Sequence, residues 1–339
     1  MKALVLAALT ALALPAAASY RDDPKTALLH QKLVADYAFT PSELASVDEA
    51  LDQAERQPQL VQAERQNKEV STPLWDSYRA LHVFPKQIDN GLKVMNEQRQ
   101  WFERAETEYG VPPVVIAAIL GVETKFGTYT GRNRVLDALV TQGYEHPTRS
   151  AFFFSELAAY FAFCRDFGRM PLDIKGSYAG AVGYAQFMPS NYLSLALDYD
   201  GDGKVDLWSM PDAIGSIAHY FTRYQPPDRP AVHWRRGEPL IVPVTNVNLS
   251  KDAPKLNAKA ANATVGEWVK MGVIPAVELP ADTPAGLVEL RRPEGTEYWL
   301  ALPNFYAVMT YNPRVFYAMA VTQLAAELQS AQGDQVSQR

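Results

Sequence analysis

Cysteine is nearly missing from this sequence: among 339 residues only Cys164 carries a thiol. No intramolecular disulfide can form, so stability has to come from core packing or a bound ion. That cysteine also stands far from any N-terminal cleavage point, and the chain is expected to be soluble with no lipid anchor. Positive charge is short as well. With 32 Lys and Arg against 38 Asp and Glu, the formal charge of -6 offers no basic field for nucleic acid. Past the first residues no apolar run approaches the roughly 20 that span a bilayer. The five histidines (His30, His82, His146, His219, His233) show no H-x-x-x-H or H-E-x-x-H spacing, and neither G-x-S-x-G nor G-x-x-x-x-G-K-[ST] occurs. Zinc-protease, serine-hydrolase and phosphate-loop chemistry therefore lack their residues.

What is present can bury a sizeable core, since 47% of the residues are hydrophobic and 11% aromatic. Residues 1–18 read as a signal peptide: Met1-Lys2 is a basic start, residues 3–14 are apolar, Pro15 breaks the run, and Ala16-Ala17-Ala18 is a small-residue cleavage pattern. Export to the periplasm is the expected fate. Residues 19–105 form an N-terminal helical region, with Thr40-Pro41 as a helix start and Pro58 as an interruption. Residues 106–231 form a mainly helical core. Residues 232–303 turn to short alternating runs such as "PLIVPVTNV" and "EYWLAL", the texture of a small β subdomain. Residues 304–329 return to helical periodicity, and 330–339 read as a disordered tail.

Three stretches of the core carry chemistry. In "PPVVIAAILGVETKFG", Pro112 and Pro113 suit a helix start, the helix is expected to continue through Phe126, and Gly127 suits the position just past its end. Glu123 then shares a face with Ile116 and Leu120 near the negative end of the helix dipole. Desolvation and the dipole both disfavour the anion, so its pKa should rise and the residue could serve as a general acid. A structural Glu paired with Lys125 or an arginine is the alternative. The stretch "GSYAGAVGYAQFMPS", 176–190, sets Ser177, Tyr184 and Gln186 among small residues, which suits close approach of a ligand or a packed helix crossing. In "DYDGDGKVDLWSMPD", 198–212, Asp198, Asp200 and Asp202 alternate, Gly203 is sixth and Lys204 offers a backbone carbonyl at the seventh place. That is the opening of an EF-hand calcium loop. Ser209 replaces the usual twelfth-position glutamate, and the nearest carboxylate beyond it is Asp212. A solvated Asp/Gly turn is the alternative.

With these motifs on the page, the chain resembles the MltB family of peptidoglycan lytic transglycosylases. The match runs in order through "YGVPPVVIAAILGVETKFG", "GSYAGAVGYAQFMPSNY", "DYDGDGKVDLWSMPDAIGSIAHYF" and "LPNFYAVMTYNPRVFYAMAV". The resemblance implies a predominantly helical α+β fold: a lysozyme-like catalytic core with an EF-hand-like calcium loop, an N-terminal helical region and a small β subdomain. It implies Glu123 as sole catalytic acid and base, with Ser177, Gln186, Tyr78, Tyr220, Tyr311, Asn312 and Tyr317 lining the saccharide groove. Arg149 in "HPTRSAFFF" matches a substrate-contacting position, although Thr148 stands where the family usually has a second arginine. A structural calcium ion on Asp198, Asp200, Asp202, Lys204 and Asp212 is implied, with no cofactor required for the chemistry. The implied partner is the peptidoglycan glycan strand, and cell-wall synthesis or remodelling proteins are those such an enzyme would meet. The competing readings are a hydrolytic muramidase, which would need a second, water-activating carboxylate, and a noncatalytic wall-binding protein.

Overall fold

The computed structural model describes residues 19–66, 74–249 and 251–337; the expected signal peptide, 1–18, lies outside the described residues. Six helices come first: α1 (Lys25–Tyr37), α2 (Pro41–Asp52), α3 (Pro58–Gln66), α4 (Trp75–Arg79), α5 (Pro85–Glu97) and α6 (Arg99–Tyr109). Thr40 and Glu43 close a reciprocal capping box on α2, which satisfies N–H groups left open at a helix start. These helices do not form a body of their own. α1 lies on α9 (Ser150–Asp166), α3 on α8 (Val135–Glu145), and α5 on α7 (Pro113–Thr124) and α14 (Val315–Ser337). The boundary expected at residue 105 falls inside α6, because one apolar core extends continuously from Leu29 to Leu328.

That core is built around α7, whose residues Val114 to Val122 are all buried. A helix apolar on every side is stable only when neighbours surround it. Here they are α5, α6, α11 (Met210–Arg223) and α14. Just ahead of α8, β1 (Asn133–Arg134) pairs with β2 (Lys175–Gly176), which lies with the short α10 (Pro189–Leu195) in the chain between α9 and α11.

The β subdomain has its own core of Val242, Val265, Trp268, Val273, Ala285, Leu287, Leu300 and Leu302. Its antiparallel sheet runs β4 (Ala263–Thr264), β6 (Pro284–Arg292), β7 (Gly295–Ala301), β3 (Ile241–Val247), β5 (Val273–Pro275), with α12 (Val265–Lys270) on it. The chain then re-enters the helical body through α13 (Pro303–Tyr311) and α14. The tail expected to be disordered from 330 is helical to Ser337: no proline interrupts it, and one interior glycine, Gly333, costs a helix only about 1 kcal/mol. No single helix among the described residues is long and apolar enough to cross a membrane.

Candidate active site

The helix carrying Glu123 ends earlier than its sequence suggests. α7 stops at Thr124, and Lys125, Phe126 and Gly127 all take positive φ angles of 51°, 58° and 82°. The N–H groups of Lys125 and Phe126 turn back to the carbonyls of Gly121 and Leu120, each at 3.0 Å. A left-handed non-glycine residue costs of order 1–3 kcal/mol, and two in succession need a reason. Phe126 supplies it: its ring is buried between α5 and α7, where Gly91 and Gly121 leave room that a β-carbon would fill. Burying that ring returns about 1.5–3 kcal/mol. The expected continuation through Phe126 is thus corrected, and the turn leaves Glu123 in the last residues of the helix.

Around Glu123 the surroundings are apolar and aromatic. Tyr317 on α14 donates its hydroxyl to Oε1 at 2.6 Å. Burial raises the carboxyl from its ordinary 4.5 to about 7, and the Tyr317 hydrogen bond opposes the rise. Among the described residues no cation contributes, so the ion pair with Lys125 or an arginine does not form. Tyr311 and Tyr78 stand close enough that an anionic Glu123 adds to the rise that burial imposes on their phenols. Tyr311 donates to the Ala185 carbonyl, while Tyr78 lies against Phe316 with ring centroids 5.6 Å apart. Tyr220 sits deeper. It is 3% exposed, donates to the Thr310 carbonyl at 2.8 Å, and is tilted against Tyr311 at 4.7 Å. Asn312 caps the C-terminus of α13 beside Tyr311.

The 176–187 segment is tied to the same helix end. Thr124 Oγ1 donates to the Tyr184 carbonyl at 3.1 Å and accepts from the Gly127 N–H at 3.0 Å. Ser177 Oγ accepts from the N–H groups of Ala179 and Ala181 at 3.2 and 3.0 Å. Gln186, itself left-handed with φ 50°, spends Nε2 on the carbonyls of Thr130 and Gly183. Arg149 is exposed and lies over the Phe152 and Phe153 rings at 4.7 and 4.9 Å; no recorded contact joins it to Glu123. Sequence reasoning missed two residues that pin the end of α7 beside Glu123, Thr124 and Gln87. Gln87 is buried on α5 and donates to the Gly121 carbonyl at 2.6 Å. Thr124 was visible as a hydroxyl late in a helix, where back-bonding is common; Gln87 left no signal.

In the aspartate loop, carboxylate oxygens of Asp198, Asp200 and Asp212 converge within 4.8 Å of one another. Asp198 accepts from the N–H groups of Gly201, Asp202 and Gly203, and buried Asp212 accepts from those of Tyr199 (2.7 Å) and Asp206 (2.8 Å). Asp202 is not part of the cluster: it is exposed and accepts from the Lys204 N–H at 2.8 Å. Hard oxygen donors from three carboxylates fit a divalent cation such as calcium.

A half-buried glutamate of raised pKa at the end of a central helix, beside Tyr317, Tyr311 and Tyr78, is suited to acid chemistry on a glycan chain, and the fold around it is that of lysozyme-like enzymes. The chain belongs to the Transglycosylase SLT domain family, whose model matches residues 29–326. It is 35% identical to membrane-bound lytic murein transglycosylase B of Escherichia coli (strain K12), covering 90% of this chain and 82% of that protein. Its fold matches the X-ray structure of catenated lytic transglycosylase SltB1 from Pseudomonas aeruginosa with a TM-score of 0.83 and 34% identity, covering 92% of this chain and 99% of that one. Escherichia coli Slt35, solved in complex with bulgecin A and in complex with calcium, matches with TM-scores of 0.81 and 0.78 at 34% identity, each covering 91% of this chain and 94% of that one. This chain is accordingly a peptidoglycan lytic transglycosylase.

Proposed function

We propose that Glu123 alone serves as acid and then base in cleaving the β-1,4 bond between N-acetylmuramic acid and N-acetylglucosamine. The observation that carries this reading is a carboxyl raised to about 7 by burial, at the end of a central helix and in hydrogen bond with Tyr317, with no cation contributing among the described residues. Because Tyr317 donates to Oε1, the acidic proton is carried on Oε2. Protonation of the glycosidic oxygen by Oε2 breaks the C1–O bond, and the carbonyl oxygen of the substrate's N-acetyl group closes on C1 as an oxazolinium. This substitutes for the second carboxylate of ordinary glycosidases. Glu123, now anionic, takes the proton of the muramoyl C6 hydroxyl; that oxygen attacks C1, the oxazolinium reopens, and a 1,6-anhydro end forms without water. Tyr78, Tyr311 and Asn312 shape the saccharide groove, with Tyr220 tilted against Tyr311. Ser177, the side-chain carbonyl of Gln186, and Arg149 at the exposed rim hold the glycan.

Asp198, Asp200 and Asp212, with the Lys204 backbone carbonyl, would hold a structural calcium ion, and Asp202 would remain at the loop's rim. The ion would neutralise the gathered carboxylates and take no part in the reaction. That Slt35 was solved with calcium and that hard oxygens converge here support the reading. A peptidoglycan substrate puts the work in the periplasm, within reach of wall-synthesis proteins. The test is digestion of purified peptidoglycan by the wild type and Glu123→Gln, with products read by mass spectrometry. Muropeptides one water lighter than hydrolytic products are expected from the wild type. Reducing ends without anhydro forms would make the enzyme a muramidase, and full activity of Glu123→Gln would place the acid elsewhere.

A further inference from the structure

α4 is a five-residue helix, Trp75–Arg79, too short to hold its conformation alone. Yet it carries Tyr78, which lies against Phe316, the neighbour of the Tyr317 that bonds Glu123. Trp75, 1% exposed, meets Phe316 edge-on at 5.4 Å and fixes one face of α4. Arg79 ties it to α14 through Gln323 at 2.6 Å and Glu327 at 3.0 Å. The remaining tie comes from another part of the molecule. Arg292, at the tip of the β6–β7 hairpin, places Nε 3.0 Å from Asp76 Oδ1 and also pairs with Glu294 (2.7 Å) and Glu297. Between hairpin, α4 and α14 lies a cavity of about 460 Å³ lined by Trp75, Asp76, Arg79, Arg292, Glu297 and Trp299, among others. On that side α4 is joined to the hairpin by the Asp76–Arg292 ion pair across this cavity.

We infer that Arg292, acting through Asp76, is a positioning residue for the reaction: the β subdomain holds α4, and with it Tyr78, over the Glu123–Tyr317 pair. The inference rests on the reading of Glu123 as the acid. The ionisable groups facing that carboxyl are Tyr317 of α14, Tyr311 of α13 and Tyr78 of α4, and of these only Tyr78 stands on an element without a strong framework of its own. When α4 loosens, water reaches Glu123 and its acidity increases.

The test uses the full chain on purified peptidoglycan, comparing Arg292→Met, Asp76→Asn, the double variant and Arg292→Lys. Arg292→Met is expected to lower kcat roughly tenfold and to move the basic limb of the pH–rate profile toward acid. The sign discriminates: simple loss of a distant cation moves that limb toward base. The double variant should be no worse than the worse single, and Arg292→Lys should restore most of the rate. A lowered melting temperature with an unmoved pH limb, a shift toward base, or additive losses in the double variant would overturn the inference. Glu123→Gln, run alongside, separates the two readings: if it is fully active the acid assignment fails, whereas if it is inactive and the Arg292→Met limb is unmoved only the positioning role fails.

Discussion

At the end of α7 a single half-buried carboxyl has one donor, Tyr317, and among the described residues no cation contributes to its pKa. In the 198–212 loop three carboxyls are drawn within 4.8 Å and surrounded by backbone N–H groups. Asp212 is nearly inaccessible, at 1% exposure. Burial raises its pKa, and the N–H groups of Asp206 and Tyr199 pull it back. The same functional group thus meets different surroundings: Glu123 has one hydroxyl against the rise that burial causes, whereas at Asp212 two backbone N–H groups offset part of that rise, and a cation could then share the charge.

The strongest way to break this comparison is Glu123→Gln. If the buried proton is the catalytic one, activity falls by at least about 10³-fold, read as loss of anhydro-muropeptides. The same change should stabilise the fold at high pH, and the sign follows from linkage. The unfolded carboxyl gives up its proton near 4.5 and the folded one near 7, so the stabilisation is fully present below 4.5 and is lost as pH rises through 7. The loss amounts to at most about 3 kcal/mol. A wild type whose melting temperature falls from pH 5 to pH 8, beside a variant with a flat response, is the expected calorimetric result; parallel curves would contradict it.

At the other region the expected effect is smaller. Asp212→Asn keeps the shape but removes the charge that accepts the Tyr199 and Asp206 N–H bonds, a loss of roughly 1.5–3 kcal/mol. Calcium at a hundred times its dissociation constant should stabilise the wild type by about 2.7 kcal/mol, and little or not at all when Asp212 is changed. Equal melting temperatures with calcium and with chelator in the wild type would count against the ion.

Much of this contrast was legible in the sequence, for reasons that also explain the misses. Glu123 stood out because a charge on an apolar helix face breaks the local pattern, and Asp198 and Asp200 because their alternation matches a known ligand spacing. The end of α7 was misread because Gly127 is the usual stop signal, whereas the stop is imposed by the burial of Phe126 against Gly91, thirty-five residues earlier in the chain. Tyr220 was identified by its motif, yet only packing reveals that its ring is buried and tilted against Tyr311. Asp202 had the right spacing, but the oxygens that converge within 4.8 Å are those of Asp198, Asp200 and Asp212. Residues that act through a partner distant in sequence, Gln87 and Arg292 among them, had no local pattern to break.

A finer change sharpens the contrast at Glu123 itself. Tyr317→Phe removes the hydrogen bond that, among the described residues, favours the anion, so the carboxyl's pKa should rise further and the basic limb of the pH–rate profile should move up. A limb that moves down would mean that Tyr317 excludes water more than it stabilises charge.

The smallest expected effects concern the backbone, where the two regions again differ. In the aspartate loop the left-handed residues are glycines, Gly201 at φ 77° and Gly203 at φ 86°, while at the end of α7 Lys125 and Phe126 precede Gly127 in that conformation. Nothing lies within 4 Å of a β-carbon placed on Gly203, so Gly203→Ala meets no clash and should cost only the conformational penalty, about 1 kcal/mol. Lys125 is exposed and sits at a helix end where glycine is preferred, so Lys125→Gly should stabilise the fold by up to about 1 kcal/mol. If strain at Lys125 helps to fix Glu123, that gain in melting temperature should come with a lower kcat at unchanged KM. If both rise or stay level, the left-handed turn serves only to bury Phe126, and the acid is positioned by Thr124, Gln87 and Tyr317 alone.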